Sequence, residues 1–190
     1  MKRFLAIGIV CGLFLPSPRC LLAEEQEKVP YVPTPFEVVD RMLSLAGVKR
    51  DDVVYDLGSG DGRIVIEAAK RYGARGVGIE LDGRLVEVAR AAARREGVSH
   101  LVEFRQADAL RADLSPATVI TLYMLPSFNR RLRPALERQL RPGTRVVAHD
   151  YPIEGWQHDR WEETPLLDTR PEVAPHKHIL YLYEWRPDRR

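Results

Sequence analysis

The sequence predicts an α/β fold built on a doubly wound, mostly parallel sheet, and three observations carry that expectation. Short apolar, β-branched runs alternate with amphipathic helical stretches. A glycine-rich loop, DLGSGDGR at residues 56–63, follows the first of those runs directly. The length of 190 residues and the 45% hydrophobic content suit one ordinary globular domain with a substantial core.

Taken in order, the first 23 residues stand apart. Lys2 and Arg3 precede the apolar run FLAIGIVCGLFL, and the abrupt charge of EEQEK follows. That pattern is expected of a signal peptide or, with Leu21 and Leu22 included, an N-terminal membrane anchor. Residues 24–30 read as a linker and 31–187 as the folded domain. The domain opens with a helix entered through Thr34, Pro35 and Glu37, a capping box with proline at the first helical position. Phe36, Val39, Leu43 and Ala46 then recur at helical spacing, and Gly47 stops the helix.

DVVYDL follows as a buried strand, then the glycine loop, then a helix over IVIEAAKRYG that closes at Gly73. ARGVGIEL is a second strand. RLVEVARAAARREG is a helix with Leu85, Val88, Ala89 and Ala92 on one face. LVEFRQAD and VITLYML are the third and fourth strands, FNRRLRPALERQLRPG a helix carrying Leu132, Leu136 and Leu140, TRVVAHDYP a fifth strand and HKHILYLYEW a last one.

Composition removes several classes of function. Both cysteines, Cys11 and Cys20, fall in the leader, so the folded part has no disulfide, thiolate metal site or cysteine nucleophile. Removing Lys2, Arg3 and Arg19 from the 29 basic residues leaves 26 against 27 acidic ones, and no nucleic-acid partner is expected from that balance. His176 and His178 share one face of the last strand, but without a third ligand they do not suggest a metal. The arginines of the helix over 128–143 read as a solvated face. Trp156 and Trp161 read either as a substrate-side flap or as cover for the sheet edge.

The glycine loop raises the question of its ligand, because in such folds the first strand-to-helix turn receives a nucleotide-like group. A pyrophosphate at a helix N-terminus requires bare N–H groups, whereas Asp56 and Asp61 would set like charges beside it. S-adenosylmethionine carries no phosphate; its sulfonium and α-ammonium are cations that a carboxylate favours. Gly58, Gly60 and Gly62 also give G-x-G-x-G in place of the G-x-G-x-x-G of dinucleotide folds. Glu80 closes the second strand, where a carboxylate can accept both ribose hydroxyls, and Asp108 closes the third, where one can accept from the adenine amino group. The alternative for each acid taken singly is a helix cap.

With those residues in place, VVYDLGSGDGR, GVGIEL and FRQAD resemble the first three motifs of the class I S-adenosylmethionine-dependent methyltransferases, from Tyr31 to Trp185. The resemblance implies a Rossmann-like, seven-stranded sheet. PYVPTPFEVVDRML and Leu122–Pro126 are further similar to the small mitochondrial protein-lysine methyltransferases that modify membrane proteins such as the adenine nucleotide carrier, and to their bacterial relatives. The N/D-P-P-Y box of glutamine and adenine N-methyltransferases is absent; Tyr123 to Pro126 stand in its place.

The family likeness assigns Asp56, Gly58, Ser59, Gly60, Asp61 and Gly62 to the methionine-side loop, Glu80 to ribose and Asp108 to adenine. Tyr31, Pro33 and Thr34 would lie over the cofactor. Tyr123, Pro126 and Tyr31 would line the methyl-acceptor opening, with His149, Asp150 and Tyr151 on the same rim. The expected acceptor is a lysine of a protein, one in or near a membrane suiting the leader; the alternatives are a small-molecule acceptor and a non-catalytic module that binds S-adenosylmethionine. The leader points to an exported or membrane-associated protein, while the cytosolic supply of the cofactor favours a domain facing the cytosol.

Overall fold

The computed structural model describes residues 31–164 and 177–188. The chain runs α1 (Phe36–Leu45), β1 (Val53–Leu57), α2 (Arg63–Tyr72), β2 (Arg75–Glu80), α3 (Gly83–Arg95), β3 (Val102–Gln106), a 3-10 turn (Ala109–Arg111), β4 (Val119–Leu122), α4 (Pro126–Gln139), β5 (Arg145–His149), β6 (Arg160–Thr164) and β7 (His178–Glu184). The seven strands form one sheet in the order β3-β2-β1-β4-β5-β7-β6. Strands β1 to β5 are parallel, and β7 runs antiparallel to both β5 and β6.

Central strands covered on both faces bury successive side chains on opposite sides, so they read as continuous apolar runs. In β1, Val54 packs with α1, α2 and α3 residues such as Leu43, Val65 and Ala89, whereas Tyr55 and Leu57 pack with Leu132 and Leu136 of α4. Order reverses between β1 and β4: β2 and β3 lie to one side of β1, and β4 and β5 to the other. The carboxyl ends of β1 and β4 therefore flank the crevice in which α/β folds hold ligands.

The structure corrects several local expectations. Pro35 sits at the N-cap of α1, with no side-chain capping bond, so the capping box does not form. Phe36 is 55% exposed rather than in the core. In α3 the buried face is Val86, Ala89 and Ala93, and Val88 is exposed, a rotation of the expected stripe. Helix α4 begins at Pro126, where a missing N–H costs nothing, two residues earlier than its apolar spacing indicated. Trp161 belongs to β6, an edge strand with few buried positions, which lacks the apolar run that marks the others.

The described residues constitute one compact unit. The leader and linker expected over 1–30 lie outside the described residues, as does His176. Among the described residues no helix is long and apolar enough to cross a membrane.

Candidate active site

At the end of β1 the chain turns through Gly58, Gly60 and Gly62, all with positive φ, of 77°, 54° and 79°. The loop is held against β2, because the Gly58 and Ser59 N–H groups donate to the Ile79 carbonyl at 2.8 and 3.0 Å. A Cβ on Gly60 would stand 2.4 Å from the Tyr31 ring, so glycine allows Tyr31 to lie on the loop. Gly62 serves a different end: a Cβ there would meet Phe104 at 2.4 Å, so its absence lets α2 pack on the sheet.

The four acids have separate environments. Asp56 is buried, and its Oδ1 accepts from the Thr121 hydroxyl at 2.7 Å. Burial pushes its carboxyl up, against the Thr121 bond and helped by the charges of Glu80 and Asp61, to about 7. For Asp61 burial also acts upward, but Arg63 outweighs it and holds the carboxyl below the usual range. Arg63 reaches Asp61 through Nε at 2.9 Å and a terminal nitrogen at 2.6 Å. Asp61 thus lines the loop with its charge balanced by Arg63.

Glu80 accepts the Gly60 N–H on one oxygen and the Asp82 N–H on the other, both at 2.9 Å. Each carboxylate oxygen retains a second lone pair for a hydroxyl. Asp108 caps the 3-10 turn, accepting from the Leu110 N–H at 2.9 Å, which realises the capping alternative while leaving its other oxygen 3.8 Å from Arg111.

The segment ahead of α1 crosses this loop. Arg63 donates to the Thr34 carbonyl at 2.8 Å and lies 4.8 Å over the Phe36 ring, tying the segment down. The Thr34 hydroxyl lies 3.4 Å from Nδ1 of His149, 115 residues away, and so is turned from the helix end that it was expected to cap. Burial and the Asp61 charge raise the Tyr31 phenol.

Beyond β4, Tyr123 stacks on His149 with ring centroids 3.9 Å apart and on Tyr151 at 6.3 Å. His149 Nε2 lies 2.8 Å from His178 Nδ1, and Asp150 Oδ2 lies 3.4 and 3.2 Å from those two nitrogens. Asp150 is held in the left-handed region, with φ of 59°, by bonds to the Ile179 backbone.

Tyr31, Pro33, Thr34, Asp56, Gly58, Ser59, Gly60, Asp61 and Tyr123 line one depression, open to solvent, together with Val32, Arg63 and Ile64. Glu80, Asp108, Gly62 and Pro126 lie outside that lining; Pro126 is the exposed first residue of α4. Arg63, although within the quoted loop, was missed as a functional residue, and so was Met124, whose sulfur would stand 2.7 Å from a Cβ on Gly58. The residues fit S-adenosylmethionine on their own chemistry. A buried carboxylate at the floor, bonded among the described residues to one neutral hydroxyl, is a place for an ammonium, and Glu80 beside it can take ribose hydroxyls.

A family model described as the ANTKMT methyltransferase domain matches residues 56–160. The chain belongs to that family. A protein-lysine N-methyltransferase of Saccharolobus islandicus (strain REY15A) is 42% identical over 156 residues, covering 82% of this chain and 92% of the relative. The adenine nucleotide translocase lysine N-methyltransferase of Mus musculus is 37% identical over 131 residues, 68% of this chain and 56% of that protein. A crystal structure of an RNA methyltransferase from Salinibacter ruber, in complex with S-adenosyl-L-homocysteine, is 54% identical with a TM-score of 0.73, covering 80% of this chain and 93% of that one. This ANTKMT-family chain is thus a class I S-adenosylmethionine-dependent methyltransferase, and its sheet is the Rossmann-like one expected.

Proposed function

We propose that the chain methylates a lysine amine on a protein. The observation that carries this is the likeness to the Saccharolobus protein-lysine N-methyltransferase, which extends over nearly that whole protein. The site's chemistry supports it. When bound, the cofactor would supply a sulfonium-activated methyl carbon that a neutral amine can attack in line, forming the N–C bond as the S–C bond breaks and S-adenosylhomocysteine leaves. The protein then needs to align the amine, strip its water and let it lose a proton. Tyr123, at the lip of the depression and stacked on His149, offers an aromatic face to the incoming ammonium.

The Salinibacter structure supports a second reading, an RNA acceptor. Charge weighs against it: on α4, Arg133 is paired with Glu137, and Arg130 lies 3.4 Å from Glu154. The 26 basic and 27 acidic residues outside the leader also give no net positive charge of the kind that RNA recognition uses. Incubating the protein with tritiated S-adenosylmethionine and cell lysate separates the readings. Label that resists RNase, is lost to protease and co-elutes with methyl-lysine is expected; label lost to RNase alone would contradict the proposal. We further propose, from the sequence of residues 1–23, attachment at a membrane with the domain facing the cofactor supply; cell fractionation with protease protection checks it.

A further inference from the structure

We infer that Thr34, His149, His178 and Asp150 form a relay that takes up the proton an acceptor ammonium must lose. The inference rests on the lysine reading above and adds to it where the proton goes. A neutral amine, not an ammonium, is the nucleophile, so one N–H bond must break before or during methyl transfer. The other groups at the depression are poorly suited to receive that proton. Asp56 lies at the floor against Thr121, Asp61 is occupied by Arg63, and the Tyr31 phenol holds its own proton more tightly than usual.

His149 is placed differently. It is fully buried at the end of β5, behind the ring of Tyr123 and in contact with Thr34, both of which line the depression. Groups that meet it among the described residues are Thr34 from the segment before α1, Tyr123 after β4, Asp150 after β5 and His178 from β7. Among the described residues, Asp150 has no lysine or arginine partner in an ion pair; both histidines lie within 3.4 Å of its Oδ2. A proton added to either imidazole is placed beside the Asp150 carboxylate, an opposite charge that favours it.

The proton balance follows the chain of contacts. An acceptor ammonium donates to the Thr34 oxygen, and the Thr34 hydroxyl proton passes to Nδ1 of His149 across 3.4 Å. The N–H bond of the ammonium breaks and an N–H bond on imidazole forms, leaving a neutral amine and a singly charged histidine pair. That charge is cancelled by Asp150 and can be shared with His178 across the 2.8 Å contact. Tyr123, stacked on His149, stabilises the imidazolium through its ring face. Thr34 touches the acceptor; His149, His178 and Asp150 act through it.

The same three donor atoms, all within 4.8 Å of one another, could instead hold a metal ion, and the test separates the two. The full chain is assayed for tritium transfer into the RNase-treated protein fraction of a lysate between pH 6 and 10, alongside S-adenosyl-L-homocysteine affinity and elemental analysis. In the unsubstituted protein the rate is expected to level off within that range. In His178→Gln and Asp150→Asn it should fall about 10- to 100-fold at pH 7 and climb about tenfold per pH unit as the lysine must ionise unaided, with homocysteine-product affinity unchanged. Thr34→Val should show the same fall at pH 7 and the same steep pH dependence, and Thr34→Ser should restore the profile, a rescue that a merely structural role would not give. A Thr34→Val profile parallel to that of the unsubstituted protein would overturn the relay while leaving lysine methylation standing. One bound metal ion per chain would also overturn it, because coordinated nitrogens cannot take up a proton. If the unsubstituted protein labels no lysine, the function reading fails first and the relay with it.

Discussion

Strand β1 is flanked by two buried aspartates that the fold treats in opposite ways. Asp52, just before the strand, is 6% exposed and Asp56, near its end, 3%. Asp52 is fully provided for: it accepts from the Lys49 N–H at 2.7 Å and the Thr118 hydroxyl at 2.6 Å, and it pairs with Arg145. Arg145 in turn donates to the Ala46 and Gly47 carbonyls, so this acid knits α1 to the sheet. Among the described residues Asp56 has the Thr121 hydroxyl and no lysine or arginine partner, and burial raises its carboxyl to about 7. An acid that the chain satisfies itself is a fastening; an acid that the chain desolvates and leaves with one neutral partner is a socket for a cation from outside. The difference follows from position, since loops diverge at the carboxyl ends of parallel strands and close together at their amino ends.

Substitutions at the two ends should separate stability from binding. Asp52→Ala strands the partly buried Arg145 guanidinium and is expected to cost about 3–5 kcal/mol of unfolding free energy by denaturant titration. The remaining folded protein should bind S-adenosyl-L-homocysteine within about twofold of normal. Asp56→Ala should do the reverse, weakening that affinity by about 100-fold or more, roughly 3 kcal/mol, in calorimetry, with no loss of stability.

Asp56→Asn sharpens the contrast through pH. A carboxyl raised in the fold stabilises fully only below its unfolded value near 4, and the contribution is lost as pH rises from there towards 7. The ligand-free asparagine variant should therefore be about 2–4 kcal/mol more stable than the unsubstituted chain at pH 8, and no more stable at pH 4, in parallel urea titrations. Gly60→Ala should cost about 1–2 kcal/mol of stability, because a left-handed φ is combined with the Tyr31 contact. Adding Tyr31→Ala should recover the part due to contact and leave the part due to φ.

The sequence made the socket end more legible than its surroundings. Glycines at alternate positions and acids at strand ends are local signals, and they located the loop and the ends of the strands that flank it. What escaped depended on contacts across the chain. The pattern around Thr34 cannot announce that a histidine 115 residues away competes for its hydroxyl. Arg63 stood in the quoted loop, but only the folded chain shows it balancing Asp61 and gripping Thr34. His178 meets His149 through the antiparallel register of β5 and β7, so a search for ligands along its own strand looked in the wrong direction. Strand β6 gave no apolar run because it is an exposed edge.

The central claim, that Asp56 receives the cofactor's cation, is tested most directly by the protons exchanged on binding. Below about pH 7 the ligand-free carboxyl holds a proton that an arriving ammonium must displace. Calorimetry of S-adenosyl-L-homocysteine in buffers of different ionisation enthalpy, from pH 5 to 8, should show a proton released at low pH and affinity that rises with pH and levels off above about 7. In Asp56→Asn both effects should vanish and binding should be weak throughout. Affinity independent of pH, with no buffer-dependent heat, or an Asp56→Asn variant that binds as tightly as the unsubstituted chain, would contradict the account.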